Sequence, residues 1–413
     1  MSAAPPAAPR AALRVLPLLG PAMVAGVAYL DPGNVASNMT AGAQYGFLLV
    51  WVVIVGNAMA WLIQYLSAKL GLVTGRSLPE VLGDRIRHRY ARYAYWVQAE
   101  LVAMATDVAE VIGGAIALQL LFGVPLLAGG VITGVVSMVL LAIHNRRGSK
   151  PFERIVSTLV VVIAVGFCAG LVVGPPAAAD VVGGLLPRFE DTGSVLLAAS
   201  ILGATVMPHA IYAHSALTRD RFGRVDEGAD RATVLRATRI DVTIALVLAG
   251  TVNVVILLLA ATNLQGVAGT DTLEGAHAAL DAALGPVIAT CFAVGLLASG
   301  LASTSVGAYA GAEIMHGLLR TRVPLLARRA VTLVPALALL ALGVDPTLAL
   351  VLSQVVLSFG IPFVLVPLVW LTAKRELLGS SVNRRGTTLA AAVAALLLIA
   401  LNVTLLILLA TGG

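Results

Sequence analysis

The sequence predicts an all-α integral membrane protein of eleven transmembrane helices, arranged as a five-plus-five inverted repeat in which helices 1 and 6 are discontinuous. Three observations lead there. Of the 413 residues, 59% are hydrophobic and only 12% charged, and the mean hydropathy is +0.95. Apolar stretches recur along the whole length and leave no room for a soluble domain. Finally, Asp31-Pro32-Gly33-Asn34 and Met207-Pro208-His209 each interrupt an apolar stretch, and their prolines lie 176 residues apart.

Taking about 20 apolar residues per crossing, the segments centre near Ala25, Ala58, Ala105, Val136, Val161, Gly203, Leu248, Leu297, Pro335, Gly360 and Leu397. The loop charges test this count. With a cytoplasmic N-terminus, the inner segments carry Arg10 and Arg14, Lys69 through Arg92, Arg146 through Arg154, Arg219 through Arg239, Arg320 through Arg329, and Lys374 through Arg385. Together these hold 26 of the 27 Lys and Arg, and only Arg188 falls outside. The outer connection at Asp271, Glu274, His277 and Asp281 is acidic. This is the asymmetry of the positive-inside rule, and one helix too many or too few would destroy it. The pI of 9.6 therefore reflects topology. A nucleic-acid partner would need those cations on one surface, whereas contact with anionic lipid head groups accounts for them.

Residues 1–12, rich in Ala and Pro, are expected to form a disordered cytoplasmic tail, followed by a single transmembrane domain over 13–413. Arg14 to Ala28 imitates a secretory signal, but cleavage there would remove the segment that carries Asp31. Cys168 and Cys291 both lie in apolar segments, which argues against a disulfide framework or a cysteine metal cluster. The first break lies in segment 1 and the second in segment 6, so the repeat unit is five helices. An odd number inverts the second copy. Repeat one covers about 13–175, repeat two about 193–374, and helix 11, about 386–410, is an addition.

A proline inside a helix leaves the carbonyl four residues earlier without its usual partner, which here implicates Ala28 and Ala204. Such backbone persists in a membrane only where it is buried in protein or lines a cavity, and paired broken helices mark the substrate site of transporters built from inverted halves. The first break offers the Asp31 carboxylate and the Asn34 amide; the second offers the Ala204 carbonyl and the Met207 thioether. Helix C-termini carry partial negative charge, so the expected substrate is a cation. Magnesium and calcium prefer oxygen alone, whereas a thioether favours softer transition metals.

Segment 3 carries Glu100, Asp107 and Glu110 within roughly 80° of one helical face. A charge near the membrane centre costs about 2.5–3.5 kcal/mol, so three acids on one face imply a polar cavity or a proton path, which His209, His214, Arg328 and Arg329 could complete. Buried ion pairs that only join helices are the competing reading, and Arg328 and Arg329 could instead snorkel to the interface. Asn57, Gln64, Asn253 and Gln354 either face the pathway or link helices, and Gln354 is favoured for the pathway. The small-residue run Ala298 to Gly307 reads mainly as close helix packing.

Asp31-Pro32-Gly33-Asn34, Ala41 to Gly46, Met104 to Glu110, Gly203 to His209 and Ala298-Ser299-Gly300 together resemble the Nramp family of divalent metal transporters, in its bacterial manganese-transporting branch. The resemblance covers nearly the whole chain. It implies a LeuT-like fold and proton-coupled import of manganese(II) or iron(II) by alternating access, with cadmium, cobalt and zinc as further candidates. It places metal on Asp31, Asn34, Met207 and the Ala204 carbonyl, and on Gln354 in some conformations. Proton transfer falls to Asp31, His209, Asp107 and Glu110, with Glu100, His214, Arg328 and Arg329 extending the polar network. Many members have Asn after the histidine where this chain has Ala210. The resemblance implies no resident cofactor, no catalysis and no obligatory protein partner; the partners are the metal, protons and lipid of a bacterial plasma membrane, with the C-terminus extracytoplasmic. A LeuT-like transporter of magnesium or an amino acid is the alternative. An intramembrane metalloenzyme is a remote one, because no His-Glu-x-x-His pattern occurs.

Overall fold

The computed structural model describes residues 20–147, 149–321 and 324–411. The expected N-terminal tail with Arg10 and Arg14 lies outside them, as do Arg322 and the side chains of Arg146 to Arg154. The first crossing is α1 (Pro21–Gly26), which tightens into a 3-10 turn at Val27–Leu30, followed by α2 (Pro32–Tyr45). Then come α3 (Val50–Thr74), a short α4 (Leu78–Arg85), α5 (Arg89–Phe122), α6 (Leu126–Arg147), α7 (Ser149–Val173) and a short α8 (Ala178–Gly183). The sixth crossing is α9 (Thr192–Thr205) and α10 (Pro208–Phe222). It leads to α11 (Ala229–Asn263), α12 (Leu273–Leu284), α13 (Pro286–Leu319), α14 (Leu325–Ala341), α15 (Pro346–Thr372), α16 (Arg375–Leu378) and α17 (Arg385–Thr411). Among the described residues, helices stand at each of the eleven expected positions, seven of them long and apolar enough to cross a membrane, with α4, α8, α12 and α16 in the connections. The described residues form an all-α fold.

Local chemistry starts these helices where they start. Pro32 and Pro208 occupy first-turn positions of α2 and α10, where a missing N–H does no harm. Asp31 caps α2 by accepting the Asn34 N–H at 2.8 Å. Asp191 and Ser194 form a capping box on α9, and the Tyr45 hydroxyl donates to Asp191 at 2.7 Å, joining the far end of α2 to the start of α9.

Packing then places the two breaks side by side. The 34-residue α5 and α13 lie against each other, α2 is seated among α9, α11 and α5, and α9 lies on α15. Two close approaches require glycine. A Cβ on Gly113 of α5 would fall 2.0 Å from Pro32, and one on Gly203 of α9 would fall 1.9 Å from the Gln354 carbonyl oxygen. On the outer faces the pattern is reversed: Val172 and Leu342 are 82% and 79% exposed. Lipid, not water, is the solvent that such a surface fits.

At the basic end of the bundle α4 acts as a brace. Its Leu78 N–H donates to Ser215 Oγ at 2.9 Å, and Arg219 bridges Glu80 at 2.8 Å and Glu313 at 3.1 Å. Burial pushes the Glu80 carboxyl up, but hydrogen bonds from Ser77 and Arg219 outweigh it and hold the group below the ordinary carboxylate range. The Arg76 hydrogen bond, with help from Arg320, holds Asp84 low as well. Groups depressed on folding stabilise fully above their unfolded pKa, and that contribution is lost as pH falls through the folded value. The Tm of the detergent-solubilised protein should therefore decline as pH drops from about 5 toward 3, and Glu80→Gln should lower the Tm at pH 7 and flatten the decline. Equal slopes in the two proteins would remove Glu80 from the brace.

Candidate metal site at two helix breaks

The site is built from backbone that the helices cannot satisfy. At the first break one expectation is corrected: the Ala28 carbonyl is not left over. Because the chain tightens into a 3-10 turn, the Asp31 N–H reaches Ala28 O at 3.3 Å, and the displaced acceptors are those of Tyr29 and Leu30. Tyr29 O accepts from Asn34 Nδ2 at 2.6 Å and from Asn253 Nδ2 at 3.0 Å, and Leu30 O accepts from Ser299 Oγ. At the second break the expectation holds in position. The Ala204 carbonyl faces the first break and accepts from Asn34 Nδ2 at 3.2 Å.

Asp31, Asn34, Ala204, Met207 and Gln354 are all fully buried. Asp31 Oδ2 accepts from Gln354 Nε2 at 3.4 Å, so α15 reaches the same carboxylate. Met207 sits in extended backbone just before α10, and its side chain makes no capping bond. The candidate donors are thus one carboxylate, two amides, one carbonyl and one thioether, supplied by both half-helix junctions and by α15. Among the described residues no three His, Cys, Asp or Glu side chains converge as a closed metal centre would require. The electrostatics suit a cation: the C-terminal ends of α9 and of the first half-helix point here with negative partial charge.

The α5 acids lead away from this point as ion pairs. Glu110 lies within electrostatic reach of Asp31 and of Asp107. Arg329 pairs closely with Asp107 and lies 3.7 Å from Glu110, while Arg328 meets Glu100 at 2.6 Å. Neither arginine snorkels; Arg329 is 1% exposed and also donates to Ser137 Oγ at 3.0 Å. His209 Nδ1 lies 3.1 Å from Thr106 Oγ1 on α5. His214 is held apart from this row, its Nδ1 at 2.7 Å from Gln64 Oε1, and Gln64 in turn donates to the Tyr29 hydroxyl. The sequence places the acids and arginines together correctly, but it does not show that His214 joins α3 instead.

Three supporting residues are missed from sequence. Ser299, within the small-residue run of α13, carries a hydrogen bond as well as allowing close packing. Asn38 lies one turn beyond Asn34 and binds it. Asp241 on α11 caps the start of α1, accepting from Gly20 N–H at 3.1 Å and Ala22 N–H at 2.9 Å. An acid inside an apolar segment is the signal that could have found Asp241.

At the acidic end a cavity of about 360 Å³ is lined by Thr40, Gln44, Asp271, Thr272, Asp345 and Val351 among others. It stops short of the donors. Ser37 and Ser200 hydroxyls lie 2.6 Å apart, and Ser200 Oγ is 3.1 Å from Val351 O, closing α2, α9 and α15 together between cavity and site.

A family model described as natural resistance-associated macrophage protein-like matches residues 22–408. The chain belongs to the Nramp family. It is 60% identical over 395 residues to a Mycobacterium tuberculosis protein named divalent metal cation transporter MntH, covering 96% of this chain and 92% of that one. A Bacillus subtilis protein of the same name is 44% identical over 396 residues, covering 95% and 92%. Among solved structures, the manganese transporter of Eremococcus coleocola superimposes with a TM-score of 0.84 at 31% identity, over 96% of this Nramp chain and 87% of that one. Mhp1, a nucleobase-cation-symport-1 family transporter, superimposes with a TM-score of 0.60 at 15% identity over 94% and 90%, a likeness of fold alone. These relatives are named for transport and not for catalysis.

Removing Arg329 would leave two buried carboxylates unpaired, a change that typically costs about 3–5 kcal/mol. Arg329→Leu should therefore lower the Tm strongly, and Asp107→Leu added to it should restore part of the loss. A single variant with wild-type Tm would show that the pair contributes nothing.

Proposed function

We propose that this Nramp protein is a proton-coupled secondary transporter that imports divalent transition metals, manganese(II) or iron(II), by alternating access across a bacterial plasma membrane. The reading rests on the two opposed helix breaks, joined where Asn34 reaches the Ala204 carbonyl and Gln354 reaches the Asp31 carboxylate, with Met207 buried at the second break three residues after Ala204. Asp31, Asn34, Ala204 O and Met207 hold the ion, with Gln354 joining from α15. Oxygen donors alone would serve magnesium or calcium equally well, whereas the sulfur tilts the set toward softer ions. The names of the similar proteins, divalent metal cation transporter and manganese transporter, support the same substrate class.

The proton side rests on the row Asp31, Glu110, Asp107 with Arg329, and Glu100 with Arg328, which runs down α5 from the metal site toward the basic end. On metal ligation Asp31 gives up its proton, and the row carries it inward, with His209 beside Thr106 able to share that step and His214 and Gln64 shaping the polar surroundings. The basic end faces the cytoplasm, in keeping with the distribution of Lys and Arg, so the N-terminus is cytoplasmic and the acidic cavity is the outer vestibule. Metal enters there, and parting of Ser37 from Ser200 opens its way. Three positive charges moving inward, two on the metal and one on the proton, are worth about 7 kcal/mol at 100 mV, enough to drive a steep inward gradient.

The test is uptake in proteoliposomes, with manganese and magnesium in competition and a pH dye inside. Manganese should enter in preference to magnesium and acidify the lumen, and Asp31→Ala should abolish both signals. Met207→Ala should keep uptake while admitting magnesium and calcium. Manganese entry with no change of internal pH would refute the coupling, and an unaltered ion preference in Met207→Ala would refute the role of the sulfur.

A further inference from the structure

We propose that Asn38 is a positioning residue for the metal ligand Asn34, and that the two side-chain amides turn over together when the ion binds. This rests on the metal-site reading above. Asn34 makes its contacts through both ends of its amide. Its Nδ2 donates to Tyr29 O at 2.6 Å and to Ala204 O at 3.2 Å, and its Oδ1 accepts from Asn38 Nδ2 at 2.7 Å. The assignment of nitrogen and oxygen is fixed by its surroundings, because an oxygen placed between two carbonyl oxygens would meet acceptors only.

That arrangement directs a donor, not a ligand, toward Ala204 O. A cation cannot bind the nitrogen-bearing end of an amide. If the Asn34 amide turns over, Oδ1 takes the place of Nδ2 at 3.2 Å from Ala204 O, and a further rotation must widen its 2.6 Å approach to Tyr29 O, which keeps the bond from Asn253. Two neighbouring oxygens of a six-coordinate ion bound at about 2.1–2.3 Å lie roughly 3.0–3.2 Å apart, so the turned amide and the Ala204 carbonyl fit one ion.

Turning over sends Asn34 Nδ2 toward Asn38, where it needs an acceptor. Asn38 Oδ1 is buried and has no hydrogen-bond partner in the present arrangement. By turning its own amide, Asn38 can present that oxygen and accept from Asn34, giving up the two bonds that its Nδ2 donates to the Asn34 side-chain and backbone oxygens. An amide is the side chain that serves both arrangements without a change of charge. Its other bond, from Nδ2 to the Asn34 carbonyl at 3.0 Å, keeps it one helical turn from its target in the arrangement seen here.

An acceptor-only side chain at position 38 separates the two arrangements. Asn38→Asp repels the present one and favours the turned one. In proteoliposome uptake it should lower the KM for manganese about tenfold, the scale on which partners of metal ligands act, and lower the maximal rate in parallel, because release then works against the same bias. Asn38→Leu, which fits neither arrangement, should not lower the KM. The added carboxylate could also attract cations by charge alone, so the comparison is repeated with Asn34→Ala: the KM change brought by Asn38→Asp should then vanish. If it persists, or if Asn38→Asp alone leaves both KM and maximal rate at their wild-type values, the positioning role is overturned. A different failure marks the underlying reading: Asn34→Ala with wild-type manganese uptake would remove Asn34 from the metal site altogether. Tm measurements on all variants separate these effects from loss of folded protein.

Discussion

A helix broken inside a membrane has carbonyls that lipid cannot satisfy, and the centre of this protein is organised by where those carbonyls go. Tyr29 O takes Asn34 and Asn253, Leu30 O takes Ser299, and Ala204 O takes Asn34 from across the repeat interface. Each partner comes from an element that must stand close by, so α2, α11, α13 and α9 converge on the breaks. The close contacts at Gly113 and Gly203 let α5 and α15 approach the same point. The polar centre and the packing around it are one construction, and the donors proposed for the metal are also the groups that make the broken backbone tolerable.

The same constraint shapes the charged row on α5. Acids at this depth survive through partners, and Arg328 and Arg329 reach inward from α14 to supply them. Such pairing costs desolvation and adds little stability by itself. It does keep ionisable groups continuous from Asp31 toward the basic end, as the proposed proton route requires. At the opposite end the Ser37 and Ser200 contact seals the acidic cavity from the site, and at the basic end α4 is clamped by Arg219. The site thus lies between two closures, each made of a few polar contacts that a rocking bundle could break.

Much of this was legible in the sequence because a membrane punishes ambiguity. Lys and Arg placement pointed to eleven crossings, and helices stand at those positions; Pro32 and Pro208 marked the breaks. Asp31, Asn34, Ala204 and Gln354 are joined by hydrogen bonds at the breaks, Met207 is buried at the second break, and the α5 acids pair with Arg328 and Arg329. What was not legible depends on local geometry that composition does not encode. The 3-10 turn moved the displaced carbonyl from Ala28 to Tyr29 and Leu30, a shift of one hydrogen-bond register. His214 turned to Gln64 and away from the acids, since the face of α10 on which it lies packs on α3. Ser299, Asn38 and Asp241 were hidden because a small or polar residue in an apolar helix has many possible partners, and only packing selects one.

The central claim is that the two breaks form a single site whose sulfur and oxygens bind the same ion. X-ray absorption at the cadmium edge, on the purified protein loaded with one equivalent of cadmium as a soft stand-in for the substrate, tests it most directly. A shell of oxygens with one sulfur neighbour is expected, with loss of that sulfur in Met207→Ala while binding persists. An all-oxygen shell in the unaltered protein would contradict it.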